Sequence, residues 1–268
     1  MAQPRLKITI LGCGSSGGVP RIGNHWGACD PSNPRNRRTR CSILVQSGHG
    51  PATTNVLVDT SPDLREQLIP TQITHLDGVL FTHDHADQTH GIDDLRQLAL
   101  LMGRRVDVHG DNETLGRLTN RFGYCFTSPE GSSYPPILSA HLIARPSGAL
   151  TLHGAGGALP VASFEQHHGE THSLGFRFGG LAYSSDVNGF PEESHAALEG
   201  LDVWIVDALR YRPHPSHAHL ERTLEWIARF KPKRAILTDL HVDLDYETLR
   251  RELPDGVEPA YDGMVIEV

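Results

Sequence analysis

The stretch Phe81-Thr82-His83-Asp84-His85-Ala86-Asp87-Gln88-Thr89-His90-Gly91 constrains this chain more than any other. It follows an apolar run, Gly78–Thr82, and precedes a helical pattern. Ligand-type side chains alternate at His83, His85 and Asp87. Side chains two apart in an extended segment point the same way, so two imidazoles and a carboxylate can converge on one point from a strand end. Neutral imidazole suits zinc, iron or manganese, and carboxylate completes such sites. Even with 17 histidines in the chain, the pattern arises by chance only about 0.07 times by template counting. That favours a metal site over a polar loop with surface histidines, without deciding it.

Other strand-like runs also end on ligand-type residues. Asp59 closes Asn55–Asp59, His168 closes the run from Phe164, and Asp186 closes Tyr183–Asp186. Asp239 and His241 follow Ala235–Thr238. Singly, each reads as a turn former or a helix cap. Together they are candidates for the rest of one ligand set.

The remaining pattern says what could carry such a site. Short runs rich in Val, Ile and Leu recur at Leu6–Leu11, Cys41–Val45, Val56–Asp59, Val106–His109, Leu138–Ala144 and Val161–Glu165. They continue at Leu174–Phe178, Leu181–Ser184, Val203–Val206 and Met264–Val268, each bounded by turn residues as strands are. Helical periodicity marks Asp93–Met102, Glu113–Arg121, His219–Phe230 and Tyr246–Leu253. A further helix is expected after Pro62, with Ser61 as its cap. Strands interleaved with helices predict a layered α/β sandwich. No composition break or repeat divides the chain, so one unit over residues 1–268 is expected. Gly14–Arg40 reads as a long structureless loop, the kind that is functional or mobile.

Composition sets limits on partners. A formal charge of −8 argues against broad electrostatic binding to nucleic acid. No stretch reaches the roughly 18 apolar residues of a membrane span, and the N-terminal apolar segment is too short for a signal sequence. The four cysteines, Cys13, Cys29, Cys41 and Cys125, form no CxxC pair, which fits a reduced, cytoplasmic protein. A homodimer is an open expectation.

With these residues in order, the chain resembles the metallo-β-lactamase superfamily, and within it the phosphodiesterase branch that includes phosphoribosyl cyclic phosphate phosphodiesterases. The resemblance runs from Leu11-Gly12-Cys13-Gly14-Ser15-Ser16-Gly17-Gly18-Val19-Pro20 through Asp59, the His83–Asp87 motif, His168-Gly169 and Asp186. It continues through His214-Pro215-Ser216-His217 to Ala260-Tyr261-Asp262-Gly263-Met264. It implies a four-layer αββα sandwich with a two-metal site at one edge of the sheets. His83, His85 and His168 would hold the first metal, Asp186 would bridge, Asp87 would belong to the second, and Asp59 would orient a ligand or loop. His217 matches the family histidine that acts as general acid.

The chain departs from the family pattern twice. The motif usually reads HxHxDH, and its last position here is Gln88; the family histidine near 239 is here Asp239. The second site then becomes rich in oxygen, with Asp87, Asp186, Asp239 and Gln88. That set favours manganese or magnesium over zinc, or weak occupancy. His241 or His90 could restore a nitrogen. One or two divalent ions per chain, zinc or manganese, are expected. The branch often carries a cysteine-rich structural zinc site near the N-terminus; only His25 and Cys29 stand there, and that site is not expected.

The function these features imply is metal-dependent hydrolysis of a small phosphodiester, cyclic phosphate or nucleotide. Arg210, Arg212 and His214 are candidates to bind the phosphate, since Arg forks match phosphate oxygens; Arg35–Arg40 reads first as a solvated basic face. Two alternatives remain: a tRNA 3′-end-processing type of ribonuclease, disfavoured by the acidic charge, and a weak metal-stabilised nucleotide or phosphate binder. The fold also hosts lactonases and thioesterases.

Overall fold

Many strands of this chain are apolar at nearly every position, because both of their faces are covered. The computed structural model describes residues 5–50 and 52–268; the reading of the N-terminus rests partly on residues 1–4, outside them. One sheet holds β1 (Leu6–Gly12), β2 (Ser42–His49), β3 (Ala52–Val58), β4 (Gly78–Leu80), β5 (Val106–Gly110) and β6 (Leu138–Leu142) in spatial sequence. The other holds β7 (Ser147–Gly154), β8 (Gly157–His168), β9 (Thr171–Phe178), β10 (Leu181–Ser184), β11 (Val203–Asp207), β12 (Arg234–Thr238) and β13 (Val257–Pro259). The last strand, β14 (Val265–Glu267), returns to pair with β1. The helices are α1 (Leu64–Leu68), α2 (Ala86–Thr89), α3 (Leu95–Met102), α4 (Asn112–Phe126), α5 (Leu220–Phe230) and α6 (Tyr246–Glu252).

The two-residue strand period sorts side chains between layers. Ile43, Val45, Val56, Val58 and Leu80 join Phe176, Tyr183, Ile205 and Ile236 in the core between the sheets. Their neighbours Leu44, Leu57, Val79 and Phe81 instead pack with Leu64, Leu95 and Leu118 of α1, α3 and α4. On the second sheet Trp204, Val206 and Leu237 meet Leu220, Trp226 and Leu249 of α5 and α6. The layers are therefore helix, sheet, sheet, helix. This is the αββα sandwich that the resemblance implied.

The sheet directions place the site. Strands β3 to β6 run parallel, as do β10 to β13. Two antiparallel steps, β8 to β9 and β9 to β10, bring the end of β8 to the same edge. The carboxyl ends of β3, β4, β8, β10, β11 and β12 therefore lie together, where open α/β sheets place ligands.

The structure departs from the sequence reading in several places. Gly14–Arg40 has little regular structure but is not structureless. It holds a short 3-10 turn at Pro34–Asn36, and Gly14 bridges both Arg40 and Leu240. Asp262 pins it, accepting the Cys13 N–H at 3.1 Å and the Thr39 N–H and hydroxyl at 2.7 Å each. Strand β7, at the sheet edge and half-exposed, and the three-residue β13 lacked a clear apolar signal. Ser61 does not cap α1 as expected. Its hydroxyl accepts the Asp63 N–H and donates to Gln67, so it braces the turn before the helix. Helix α4 runs further than its apolar stripe, starting from an Asp111 cap on the Thr114 N–H and bending at Phe122. No helix among the described residues is long and apolar enough to cross a membrane.

Candidate metal centre

Three of the strand exits need a sharp turn. Asp59, Asp186 and Asp239 directly follow β3, β10 and β12 or lie one residue beyond, and each adopts left-handed backbone, with φ of 62°, 49° and 60°. Aspartate tolerates this conformation better than most residues. The turn holds each carboxylate at the sheet edge.

His83, His85, His168 and Asp186 converge, each offering one ligand atom within 4.8 Å of the others. His168 Nε2 lies 3.3 Å from His85 Nδ1, and Asp186 Oδ2 lies 3.6 Å from His83 Nε2 and 3.8 Å from His168 Nε2. A tetrahedral ion with bonds of about 2.0–2.1 Å sets its ligand atoms about 3.3 Å apart. The residues present fit that ion. His83 Nε2 is buried with no hydrogen-bond partner, as a lone pair waiting for a metal would be.

The ring tautomers agree. His168 Nδ1 sits 2.8 Å from the Ser216 carbonyl; a carbonyl only accepts, so Nδ1 carries the proton and Nε2 the lone pair. Burial, reinforced by the nearby His217, pulls the His168 pKa down to about 3, so the ring is neutral. Burial likewise holds His83 well below its ordinary value. Behind His83, the Thr82 hydroxyl lies 3.0 Å from Nδ1 and 2.9 Å from Asp59 Oδ2, while the Thr82 N–H donates to Asp59 Oδ1 at 2.8 Å. The hydroxyl donates to the carboxylate and accepts the Nδ1 proton, which leaves Nε2 bare. Asp59 thus acts on the centre through Thr82 and touches no ligand atom directly.

The alternation that selected the motif holds only to His85. Asp84 points away and is gripped by Arg117 at 3.2 Å and Arg121 at 2.7 Å, tying the loop to α4. At Ala86 the chain turns into α2, so Asp87 leaves the rail of His83 and His85; it is half-buried and belongs to neither convergent group. Gln88 is buried and donates Nε2 to Asp186 Oδ1 at 3.0 Å. His90 packs edge-on against Phe122. His241 is turned to Asp243, with Nδ1 3.2 Å from its carboxylate.

A second group joins Asp207, His217 and Asp239. His217 Nδ1 lies 2.8 Å from Asp207 Oδ2 and 3.0 Å from Asp239 Oδ2, and its Nε2 is 4.0 Å from Asp186 Oδ2. Burial pulls the His217 pKa down, but Asp207 and Asp239 outweigh it and push it up to about 12. Burial and the Asp207 charge push Asp239 up to about 7, and burial with Asp239 raises Asp186 well above the carboxylate range. Asp59, Asp186, Asp207 and Asp239 are each at most 2% exposed. Burial raises Asp59, Asp186 and Asp239 together, and a divalent cation beside them would favour their charged forms.

His214 lies against His217, with ring centroids 5.1 Å apart and planes tilted by 60°. Arg210 donates to the carbonyls of Arg212 and Pro213, and Arg212 is exposed. Arg21 and Arg210 are close enough to His241 to depress its pKa, after burial. Sequence reading missed Asp207, Thr82 and Ser216. Asp207 closes the apolar run Val203–Asp207 as the other aspartates close theirs, so its signal was available. A carbonyl partner such as that of Ser216 leaves no trace in side-chain type.

The family model described as a beta-lactamase superfamily domain matches residues 54–239, a span containing all of these ligands. The chain belongs to the beta-lactamase superfamily. A solved structure described as a new diphosphatase from the PhnP family superimposes with a TM-score of 0.87 at 34% identity, over 98% of this chain and 97% of that one. This agrees with the phosphodiesterase branch of the superfamily. Zinc-bound PqqB of Methylobacterium extorquens, at 18% identity, shares the fold, with a TM-score of 0.73 over 98% of this chain and 100% of that one. A curated relative, an octanoyltransferase of Porphyromonas gingivalis, is 30% identical over 97% of this chain but only 51% of its own length. This chain thus spans about half of that relative. As a metallo-beta-lactamase-fold hydrolase it carries a histidine and aspartate cluster suited to a divalent metal.

Proposed function

We propose that this hydrolase cleaves a small phosphodiester or diphosphate, such as a cyclic phosphate or a nucleotide. The observation that carries the reading is His217 beside the metal cluster, with its Nδ1 held by Asp207 and Asp239 and its Nε2 facing Asp186. His83, His85, His168 and Asp186 would hold a zinc or manganese ion, which would supply Lewis acidity for activating a water and polarising a phosphoryl oxygen. His217 Nε2 carries the proton that a leaving alkoxide or phosphate needs, and Asp207 keeps the ring aimed. Arg210, Arg212 and His214 are the candidate partners for the remaining phosphate oxygens; His214 lies next to His217, and the Arg21 and Arg210 charges act on nearby His241. The acidic chain as a whole disfavours RNA as substrate. The diphosphatase described for the PhnP-family relative supports phosphate over acyl substrates.

Turnover of bis(p-nitrophenyl) phosphate by the metal-loaded protein tests the reading. His217→Ala should lower turnover by about 10²–10⁴-fold with metal content unchanged. Turnover equal to that of the wild type would remove His217 from the mechanism. No turnover by the wild type with either metal on phosphodiesters or diphosphates would remove the function itself.

A further inference from the structure

We propose that Arg121, with Arg117 beside it, is the positioning group for the metal ligand His85, and that it acts by gripping Asp84. The inference rests on the His83 cluster being a metal site, and is independent of the substrate. It starts from an asymmetry among the three histidines. His83 Nδ1 is set by the Thr82 hydroxyl at 3.0 Å and His168 Nδ1 by the Ser216 carbonyl at 2.8 Å. Such partners fix a ligand ring and its tautomer. Among the described residues the His85 ring has no partner of that kind. Its one polar contact there is Nδ1 with His168 Nε2 at 3.3 Å, inside the cluster, and the residue is exposed.

A ring without such a partner takes its place from its backbone. The chain is extended at His85, with φ of −62° and ψ of 154°, so Asp84 projects from the side opposite His83 and His85. A grip on Asp84 therefore fixes the roll of the segment that carries both rings. Asp84 is buried, with Arg121 Nη2 2.7 Å from its Oδ2 and Arg117 Nη1 3.2 Å from its Oδ1. Arg121 Nη1 also donates to the Asp84 carbonyl. One guanidinium thus holds side chain and main chain together, a fork that lysine does not reproduce. The next carbonyl, that of His85, accepts from the Thr89 hydroxyl at 2.7 Å.

The helix behind the grip is itself anchored. Arg117 and Arg121 stand four residues apart and share one face of α4. Asp111 caps the first turn of that helix, and its Leu118 is wholly buried. Phe122, the residue after Arg121, meets His90 edge-on with ring centroids 5.6 Å apart. Helix α4 therefore holds the motif on both sides of α2, at Asp84 before it and at His90 after it. A ligand set must be held within about 0.5 Å of its productive geometry. For His85 the group that holds it is the pair of arginines on α4.

The test is zinc affinity, measured on chelator-stripped protein by competition against a chromophoric chelator. Arg121→Ala should weaken it by about 10–100-fold, and Arg121→Lys, which keeps the charge and loses the fork, should recover part of the loss. General damage to the structure would weaken zinc binding whichever ligands remain, whereas an effect carried by His85 disappears with His85. In a His85→Ala background, Arg121→Ala should therefore change affinity by less than about twofold, while in a His168→Ala background it should keep its full effect. Equal losses in the two backgrounds, or wild-type affinity in Arg121→Ala, would overturn the inference while leaving the metal centre in place. No zinc binding by the wild type would overturn both. Should Arg121→Ala fail to fold, Asp84→Asn, which keeps the shape and weakens both ion pairs, takes its place in the same cycle with the same expected outcomes.

Discussion

Replacing Asp59 by Asn tests the path from a buried carboxylate to a metal ligand. The change is nearly isosteric, and Asn tolerates the φ of 62° at this position as Asp does. In the wild type both Asp59 oxygens accept from Thr82, and the Thr82 hydroxyl is left to accept from His83 Nδ1. In the variant the oxygen of the new side-chain amide keeps the Thr82 N–H, but the amide NH2 meets the hydroxyl. The hydroxyl then becomes an acceptor there, and the partner left for its own proton is His83 Nδ1, 3.0 Å away. Donation to Nδ1 requires that nitrogen bare, which moves the ring proton to Nε2 and closes the lone pair facing the metal. Holding the productive tautomer instead leaves a buried donor without an acceptor. Loss of such an outer partner lowers metal affinity by about 10–100-fold, or about 1.4–2.7 kcal/mol. Competition against a chromophoric zinc chelator measures it. Thr82→Val, which removes the hydroxyl outright, should fall in the same range. Affinity in Asp59→Asn within twofold of wild type would mean that Asp59 is protonated and does not accept from Thr82. The relay would then be refuted.

Two other substitutions probe the surroundings of the centre. Asp207→Asn weakens a charge-assisted bond to His217 and should lower kcat by about 10–100-fold, the equivalent of about 1.4–2.7 kcal/mol, with KM and metal content unchanged; a change in KM alone would contradict a role through His217. Asp262 is held up to about 6 by burial, against which the Thr39 and Cys13 donors work. Its folded pKa lies above the unfolded value, so the folded state binds the extra proton and stability falls as pH rises through that window. Denaturation of metal-stripped protein should show roughly 2–3 kcal/mol lost between about pH 4 and pH 6.5 that Asp262→Asn does not lose. Parallel profiles for the two proteins would contradict it.

Much of the site was legible because its residues stand at strand exits, where an apolar run stops on a polar residue. His83, His85, His168 and Asp186 were all readable that way. Asp87 looked equivalent to His85 because period-two reasoning assumes an extended chain. The switch to helix at Ala86 breaks that assumption, and nothing in the local composition announces it. Gln88 was singled out as a departure from a family pattern. Its role depends on which face of Asp186 it meets, and only the packing of α2 against the end of β10 decides that. The two-sheet core was readable because strands covered on both faces are apolar throughout. The edge strand β7, covered on one face only, was not.

The central claim, that the His83, His85, His168 and Asp186 cluster makes this chain a metal-dependent phosphodiesterase, is tested most directly by titrating zinc or manganese into chelator-stripped protein while following bis(p-nitrophenyl) phosphate hydrolysis. Turnover should rise from background with added metal and level off once the cluster is filled. Hydrolysis that is indifferent to metal, or absent at every loading, would contradict the claim.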